Sequence, residues 1–328
     1  MALPRLLAEH RHSLRANAAR FSEFVERSAR WWVGLWVAAT FTIGILNALY
    51  TPLWLDEIME AFIAKLPHCS EILAVAKSGA DGQPPAYGLA MWASIRLFRN
   101  VELGLRIPSL IGYEVFSICL YLLVARRTSR PYGLLATLFP ALTGAWYYAT
   151  EGRPYGVLLG CTGVALLCWQ SIAMNRRRKL ALAGLSLSLA CACAVHYYAP
   201  LLIAPFAFGE LVRTVRRREL NFLTWMAIAA PLFVVISYLP FAGALRANSG
   251  IAPPWAWPRG YYSLQWIAAQ FLEPSLVTLV CVACTYIAYQ AISSLRSREV
   301  LSKPVSPGIF ANSFRTSVCS WACAACRS

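Results

Sequence analysis

The sequence has few charged side chains for its length. Of its 328 residues, only 14% are Asp, Glu, Lys or Arg, whereas 58% are hydrophobic. A soluble domain usually has about a quarter charged residues, so this chain has too little polar material to cover a globule in water. Its solvent must be partly lipid, which favours one bundle of membrane spans over several soluble domains.

Acidic residues are especially scarce. The chain has 15 Asp and Glu against 30 Lys and Arg, which gives a formal net charge of +15. Such an excess can indicate nucleic-acid binding, but here the basic residues occur in short clusters between apolar runs, with no aromatic residues interleaved along one polar face. This distribution instead follows the positive-inside rule of membrane proteins. We therefore expect no nucleic-acid partner.

Two further signatures are missing from the sequence. No internal repeat is visible, so the inverted repeats of many transporters are not found. No strong zinc signature occurs either: most of the 11 cysteines lie inside apolar runs, as small buried hydrophobic residues do. The cluster Cys319, Cys323 and Cys326 lacks the second pair or the histidines that a zinc site needs.

Apolar runs of spanning length are abundant. They predict an all-α integral membrane protein with about eight transmembrane helices, at residues 31–49, 105–124, 134–148, 155–174, 180–195, 200–212, 222–241 and 275–292. The predicted organisation is a basic cytoplasmic segment (1–30), a transmembrane module (31–298) with a first outer loop (50–103), and a tail (299–328) that we expect to be disordered or atypical.

The first outer loop is predicted to carry amphipathic surface helices. Thr51-Pro52 is a plausible helix start, with Pro at the first helical position. Pro84-Pro85 breaks the chain, and an amphipathic helix follows to Phe98. If this helix lies on the surface, every basic cluster falls on the same side as the N-terminal arginines. We therefore predict a multi-pass protein of the plasma (inner) membrane with its N-terminus in the cytoplasm.

An acidic pair, Asp56-Glu57, follows the first span by a few residues. Charges at such a position are commonly solvated loop residues. The apolar neighbours Leu53-Trp54-Leu55 and Ile58-Met59 favour a second interpretation, because limited water raises a carboxyl pKa and strengthens a general base. Spacing alone leaves both interpretations open.

Other polar residues are predicted on the same outer side. Glu151–Tyr155 fills a short outer turn, which is either a connector with a local ion pair or a place where Arg153 binds an anion such as phosphate. Arg106 either extends to the headgroups or holds a phosphate. His196, at the end of a span, is either an interfacial residue or a ligand. Glu114 lies within the second span, so it should face the bundle.

Five motifs in order along the chain form a recognisable set. The chain resembles the type C glycosyltransferase (GT-C) superfamily, specifically its bacterial dolichyl-phosphate-mannose protein mannosyltransferase-like branch, from about Trp31 to Tyr198. The motifs are Trp54-Leu55-Asp56-Glu57; Asp81-Gly82-Gln83-Pro84-Pro85-Ala86-Tyr87; Leu105-Arg106-Ile107-Pro108-Ser109 with Tyr121–Arg127; Tyr147–Tyr155; and His196-Tyr197-Tyr198.

The resemblance implies a function. Such enzymes move a sugar from a polyprenyl-phosphate lipid to an acceptor at the outer membrane face, generally with inversion, and an acidic residue of the first outer loop acts as the base. On this chain that residue is Asp56, with Glu57 the second choice. The residues implied in binding the lipid phosphate and sugar are Arg106, Glu151, Arg153, Tyr155, His196 and Tyr87. The partners implied are the lipid-linked donor, a lipid, polysaccharide or protein acceptor, and membrane lipids.

The sequence also departs from the family pattern. Family members usually have an apolar residue where Glu114 stands, and they are commonly longer, with more spans or a C-terminal domain. Alternative functions are a polyprenyl-linked sugar carrier or flippase, and an inactive membrane fragment of such an enzyme. No cofactor is clearly indicated. Some relatives use a divalent metal, for which Asp56, Glu57 and His196 are the candidate ligands.

Overall fold

The computed structural model describes the backbone of residues 2–241, 243 and 244, and side chains from residue 23 onward. Over this range the chain is helical and contains no strand. The helices are α1 (Ala2–Tyr50), α2 (Leu55–Ala64), α3 (Cys69–Ser78), α4 (Pro85–Phe98), α5 (Val101–Ala125), α6 (Arg130–Leu138), α7 (Gly144–Ala149), α8 (Tyr155–Ala173), α9 (Arg178–Val195), α10 (Ile203–Arg217), α11 (Phe222–Ala229) and α12 (Leu232–Ile236).

Five helical stretches are long and apolar enough to cross a membrane, which confirms an all-α membrane fold. They are Glu23–Tyr50, Val101–Ala125, Tyr155–Ala173, Arg178–Val195 and Phe222–Phe241. Each coincides with a predicted span. The predicted span 134–148 is instead divided into α6, a 3₁₀ turn at Phe139–Leu142 and α7, and the span 200–212 begins with a 3₁₀ turn at Ala199–Leu202.

The span count of eight stays a prediction. The eighth run, 275–292, lies outside the described residues, as do the tail 299–328 and its cysteine cluster. The basic segment 1–30 is not separate from the first span in the backbone, because α1 runs without a break from Ala2 to Tyr50.

Helices α5 and α8 pack with their backbones in near contact. Gly112 of α5 faces Gly156 and Gly160 of α8, and a Cβ on Gly160 would lie 2.7 Å from the Gly112 carbonyl oxygen. Small residues permit such close approach of membrane helices. The Ser109 hydroxyl donates a hydrogen bond to the carbonyl of Arg153. This packing therefore fixes the turn before α8 against the start of α5.

The first outer loop folds into three short helices. The expected start at Thr51-Pro52 is wrong: α2 begins at Leu55 after the extended residue Trp54. The reason is that the carbonyls of Thr51 and Pro52 accept hydrogen bonds from Arg106, which holds this stretch outside the helix.

Helix α4 matches its prediction. It begins at Pro85, as expected for a proline at the first helical position, and ends at Phe98. The Arg96 guanidinium donates to the carbonyls of Ala64 (3.1 Å) and Leu66 (2.7 Å) at the end of α2. Helix α4 therefore holds the end of α2 in place. Helix α3 was not predicted.

Candidate functional site

A buried ion pair joins the first outer loop to α5. The Arg106 guanidinium donates to both carboxylate oxygens of Glu57, from Nε to Oε1 at 2.8 Å and from Nη2 to Oε2 at 2.6 Å. The two side chains are 4% and 0% exposed. Two parallel charge-assisted bonds give such a pair strict geometry as well as strength.

The remaining hydrogen-bonding capacity of this pair is used within the protein. Arg106 Nη1 donates to the carbonyls of Ala48 (3.0 Å) and Thr51 (2.8 Å). Glu57 Oε1 accepts the backbone N–H of Gly152 at 2.6 Å, and Oε2 accepts that of Trp54 at 3.3 Å. The Glu57–Arg106 pair therefore links α2 to three other segments: the end of α1, the start of α5 and the turn before α8.

Asp56, next to Glu57 in the first turn of α2, is the more accessible acid. Its side chain is 43% exposed, and its Oδ2 lies 3.6 Å from Arg153 Nη2. Arg153 also contacts Glu60, with Nη1 at 3.2 Å from Oε1. Glu60 lies four residues after Asp56 and thus on the same helix face. Arg153 is therefore held between two carboxylates, one open and one buried.

Two of the surrounding acids have raised pKa values. Burial, followed by the nearby charge of Asp81, raises the pKa of Glu60 to about 8, although Arg153 acts in the opposite direction. Burial also raises the pKa of Asp81 to about 6, against the Gln83 backbone N–H that its carboxylate accepts at 2.9 Å. At neutral pH, Glu60 is therefore largely protonated and Asp81 largely ionised.

Aromatic side chains form one wall of this region. The rings of Tyr155 and His196 lie 5.7 Å apart, and those of Tyr148 and Tyr155 lie 4.9 Å apart. His196 Nδ1 accepts the Tyr198 N–H at 3.1 Å. Burial, followed by the charge of Arg153, lowers the pKa of His196. A neutral imidazole beside an arginine therefore lies at this edge.

Two more predicted residues complete the region. Tyr87 of α4 is fully buried, and its hydroxyl makes no hydrogen bond within the described residues. Glu151 is buried, bonds with Tyr147, and has a pKa raised mainly by burial. We call the set of Asp56, Glu60, Asp81, Arg153 and His196 the polar cluster.

The comparison with family models gives one match. The model described as dolichyl-phosphate-mannose-protein mannosyltransferase matches residues 82–241, just under half of the chain. This match supports a GT-C mannosyltransferase-like family for the matched region. Searches of curated proteins and of solved structures gave no significant match.

The family match supports the coarse function, a membrane glycosyltransferase of the mannosyltransferase type. That family implies a dolichyl- or polyprenyl-phosphate sugar donor and an acceptor. The matched region begins at Gly82, so it includes Arg106, Arg153 and His196. The acids of α2 precede it.

The structure brings the sequence-predicted residues together around the turn 151–155. Asp56 and Arg153 are in direct contact, and the His196 ring lies beside that of Tyr155 at an angle of 47°. Arg106 was expected to extend to the lipid headgroups or to hold a phosphate. In the structure its guanidinium instead contacts Glu57 and backbone carbonyls. Glu57 is likewise enclosed.

Sequence reasoning missed two members of the polar cluster, Glu60 and Asp81. Glu60 carries a detectable signal, since a residue four positions after Asp56 on a helix lies on the same face. Asp81 stood within a recognised motif but was given no role. Among the described residues, no group of three or more His, Cys, Asp or Glu is arranged to hold a metal ion.

Proposed function

We propose that this mannosyltransferase-like protein transfers a sugar from a polyprenyl-phosphate donor to an acceptor at the extracytoplasmic face, with inversion and with Asp56 as general base. The observation that supports this most is the position of Asp56, an open carboxylate held beside the partly buried Arg153. The acceptor hydroxyl must reach the base that deprotonates it, and the departing lipid phosphate is stabilised by a cation held close to it.

The reaction follows from these two groups. The acceptor hydroxyl attacks the anomeric carbon while Asp56 takes its proton, because a neutral hydroxyl is a poor nucleophile. The bond between the anomeric carbon and the phosphate oxygen breaks, and its electron pair leaves with the lipid phosphate. Attack from the side opposite the leaving group inverts the anomeric centre.

Arg153 is the proposed partner of the departing phosphate. A fixed guanidinium in a region of limited water stabilises developing negative charge at no cost of reorganisation. Its contact with Asp56 at 3.6 Å is longer than a hydrogen bond, so a phosphate oxygen can compete for it. Glu151 and Tyr155, in the same turn, are the proposed sugar contacts.

Arg106 and Glu57 have a different proposed role. Because their charges satisfy each other in a dry environment, we assign them to positioning: they hold α2 and the turn at Gly152 in register. Tyr87, which is fully buried in α4, is proposed to support the same turn by packing. His196, with its lowered pKa, is proposed as a neutral hydrogen-bonding group at the donor site.

An apolar groove beside the candidate site supports a lipid donor. It has a volume of about 820 Å³ and lies between α4, α5, α8 and α9. Its lining is almost entirely apolar and includes Pro108 and Val157, which adjoin Ser109 and the turn before α8. A polyprenyl chain in this groove would have its phosphate end near Arg153.

The decisive experiment is sugar transfer in membranes from a radiolabelled polyprenyl-phosphate sugar. We expect Asp56→Asn to lower the rate at least 100-fold, the usual contribution of a general base, while Asp56→Glu keeps part of it. Glu102→Gln, a neutralised acid of the same outer loop outside the polar cluster, is the matched control. Normal transfer by Asp56→Asn at wild-type expression would remove Asp56 from the base role.

The stereochemical proposal has its own test. The anomeric configuration of the product, determined by NMR, should be opposite to that of the donor. A product of retained configuration would contradict direct displacement by an acceptor activated at Asp56.

A further inference from the structure

A second polar cavity lies at the other end of α9 from His196. It has a volume of about 320 Å³ and is lined by Arg178, Arg213 and Arg217 together with the turn Glu219–Leu223. Helix α9 has 18 residues, which at 1.5 Å per residue places this cavity about 27 Å from the polar cluster. We call it the arginine pocket.

The charge around the arginine pocket is strongly positive. Arg213 forms an ion pair with Glu210, with Nη2 at 2.8 Å from Oε1. Arg178 donates to the Asn221 side-chain oxygen at 2.7 Å. Arg217 makes no ion pair or side-chain hydrogen bond with any described residue. Further exposed basic residues surround the pocket, namely Arg176, Arg177, Lys179, Arg216 and Arg218, and the nearby acids are Glu210 and Glu219.

Backbone groups add to this attraction for an anion. Helix α11 begins at Phe222, and its capping residue Asn221 accepts the Thr224 N–H. The N–H groups of Phe222 and Leu223, both in the pocket lining, have no described hydrogen-bond acceptor. Free N–H groups and the helix dipole make a helix start favourable for negative charge.

The rim of the pocket is apolar. Leu220, Phe222 and Leu223 are 68%, 64% and 57% exposed, and α11 belongs to the candidate span Phe222–Phe241. These side chains therefore lie where a membrane helix enters the bilayer. The pocket therefore combines arginine side chains with exposed apolar residues at its edge. This combination fits a molecule with an anionic headgroup and hydrocarbon chains better than it fits a free ion.

We propose that the arginine pocket binds the headgroup of an anionic phospholipid. The phosphate is held by Arg178, Arg217 and the first N–H groups of α11, and the acyl chains lie along Phe222 and Leu223. Basic pockets between membrane helices recognise such headgroups. This site is separate from the polar cluster, and its occupancy does not depend on the proposed sugar transfer.

The test is thermal unfolding of the purified full-length protein in neutral detergent, titrated with phosphatidylglycerol, phosphatidylcholine or inorganic phosphate. We expect phosphatidylglycerol to raise the midpoint and the other two to have little effect. The variant R217Q should weaken the apparent affinity roughly fivefold, and R178Q/R217Q further, because each arginine near the surface contributes one charge interaction. R217Q removes no described contact, so its folding is not at risk.

The matched control is R216Q. Arg216 neighbours Arg217 and carries the same charge, but it does not line the pocket. R216Q should leave the phosphatidylglycerol effect unchanged. Equal loss in R216Q and R217Q would overturn the pocket in favour of diffuse attraction. Equal stabilisation by phosphatidylcholine or by inorganic phosphate would overturn the choice of an anionic lipid.

Discussion

At the residue scale, neighbouring acids have different environments although they follow each other in sequence. Glu57 is enclosed and bonded to Arg106 and two backbone N–H groups, whereas Asp56 remains open beside Arg153. The difference arises because successive helix residues point about 100° apart. One acid faces the protein interior, and the other is partly exposed.

The Glu57–Arg106 pair gives the first prediction. Arg106→Gln should lower the free energy of unfolding by about 3–5 kcal/mol, since it leaves a buried carboxylate without its counter-charge. The measurement is thermal unfolding in detergent, with the exposed Arg127→Gln as control. The double variant Glu57→Gln/Arg106→Gln should be less destabilised than either single variant. If Arg106→Gln unfolds like Arg127→Gln, the pair does not support the loop.

Glu60 gives a prediction about pH. Its pKa is about 8, so below pH 8 it is mostly protonated and Asp56 is the main anion in contact with Arg153. As the pH rises through 8, Glu60 ionises and competes with the lipid phosphate for Arg153. Transfer should therefore fall above pH 8, through a higher KM for the donor. The measurement is the pH profile of transfer.

The control for this profile is Glu60→Gln, which cannot ionise. Its transfer should stay level where the wild-type rate falls, while Glu102→Gln should follow the wild type. An alkaline fall of the same size in Glu60→Gln would assign the titration to another group.

The residue-level site could be predicted only in part. The motif order identified Asp56, Arg153 and His196 as members of one region. The partner of Arg106 could not be found, because Glu57 lies 49 residues away and only helix packing brings the two together. Glu60 was accessible to helix spacing, whereas the raised pKa of Asp81 depends on burial that spacing does not reveal.

At the element scale, glycines at the α5–α8 contact determine the position of the turn 151–155. Gly156 of α8 rests on the backbone of Ser109 in α5, and Gly112 rests on Gly156. Any side chain at these positions would separate the helices and move the turn that carries Arg153. The apolar runs predicted both helices, but no local pattern indicated that these glycines face each other.

This contact gives a prediction. Gly156→Ala should destabilise the protein by about 1–3 kcal/mol, the usual cost of overpacking, and should also reduce transfer. Gly34→Ala is the matched control, because Gly34 is in helix α1 with no atom near its would-be Cβ, so alanine there should be neutral or stabilising. Thermal unfolding and the transfer assay measure both. Equal behaviour of the two variants would contradict the close α5–α8 contact.

At the scale of the whole molecule, composition alone sufficed for the fold class. Few charges and long apolar runs require a lipid-embedded bundle, and the exposed apolar side chains of the spans, such as Trp31 at 72%, agree. The start of α2 and the division of residues 134–148 were not foreseen. The start of α2 depends on the hydrogen bonds from Arg106 to the residues before it. The division of residues 134–148 occurs at a 3₁₀ turn that contains Pro140. The apolar pattern indicates neither.

Sidedness gives the prediction at this scale. Alkaline phosphatase, whose disulfides form outside the cytoplasm, should be active when fused after Gly82, Arg153 or His196 and inactive after Arg127 or Lys179. The reversed pattern would place the N-terminus outside. Opposite results at Gly82 and Arg153 would mean that α4 crosses the membrane.

The reach of Glu57 has a consequence for biosynthesis. Its Oε1 accepts the N–H of Gly152, 95 residues further along the chain, so the ribosome completes the helix bearing Asp56 long before that donor exists. Until that residue has been made, the Glu57 carboxylate has only its bonds to Trp54 and Arg106. Only when the residues leading into Tyr155 have been inserted does that carboxylate find its last partner. The maturation of this protein therefore passes through a stage in which α2 is complete and the Glu57 carboxylate still lacks its Gly152 partner.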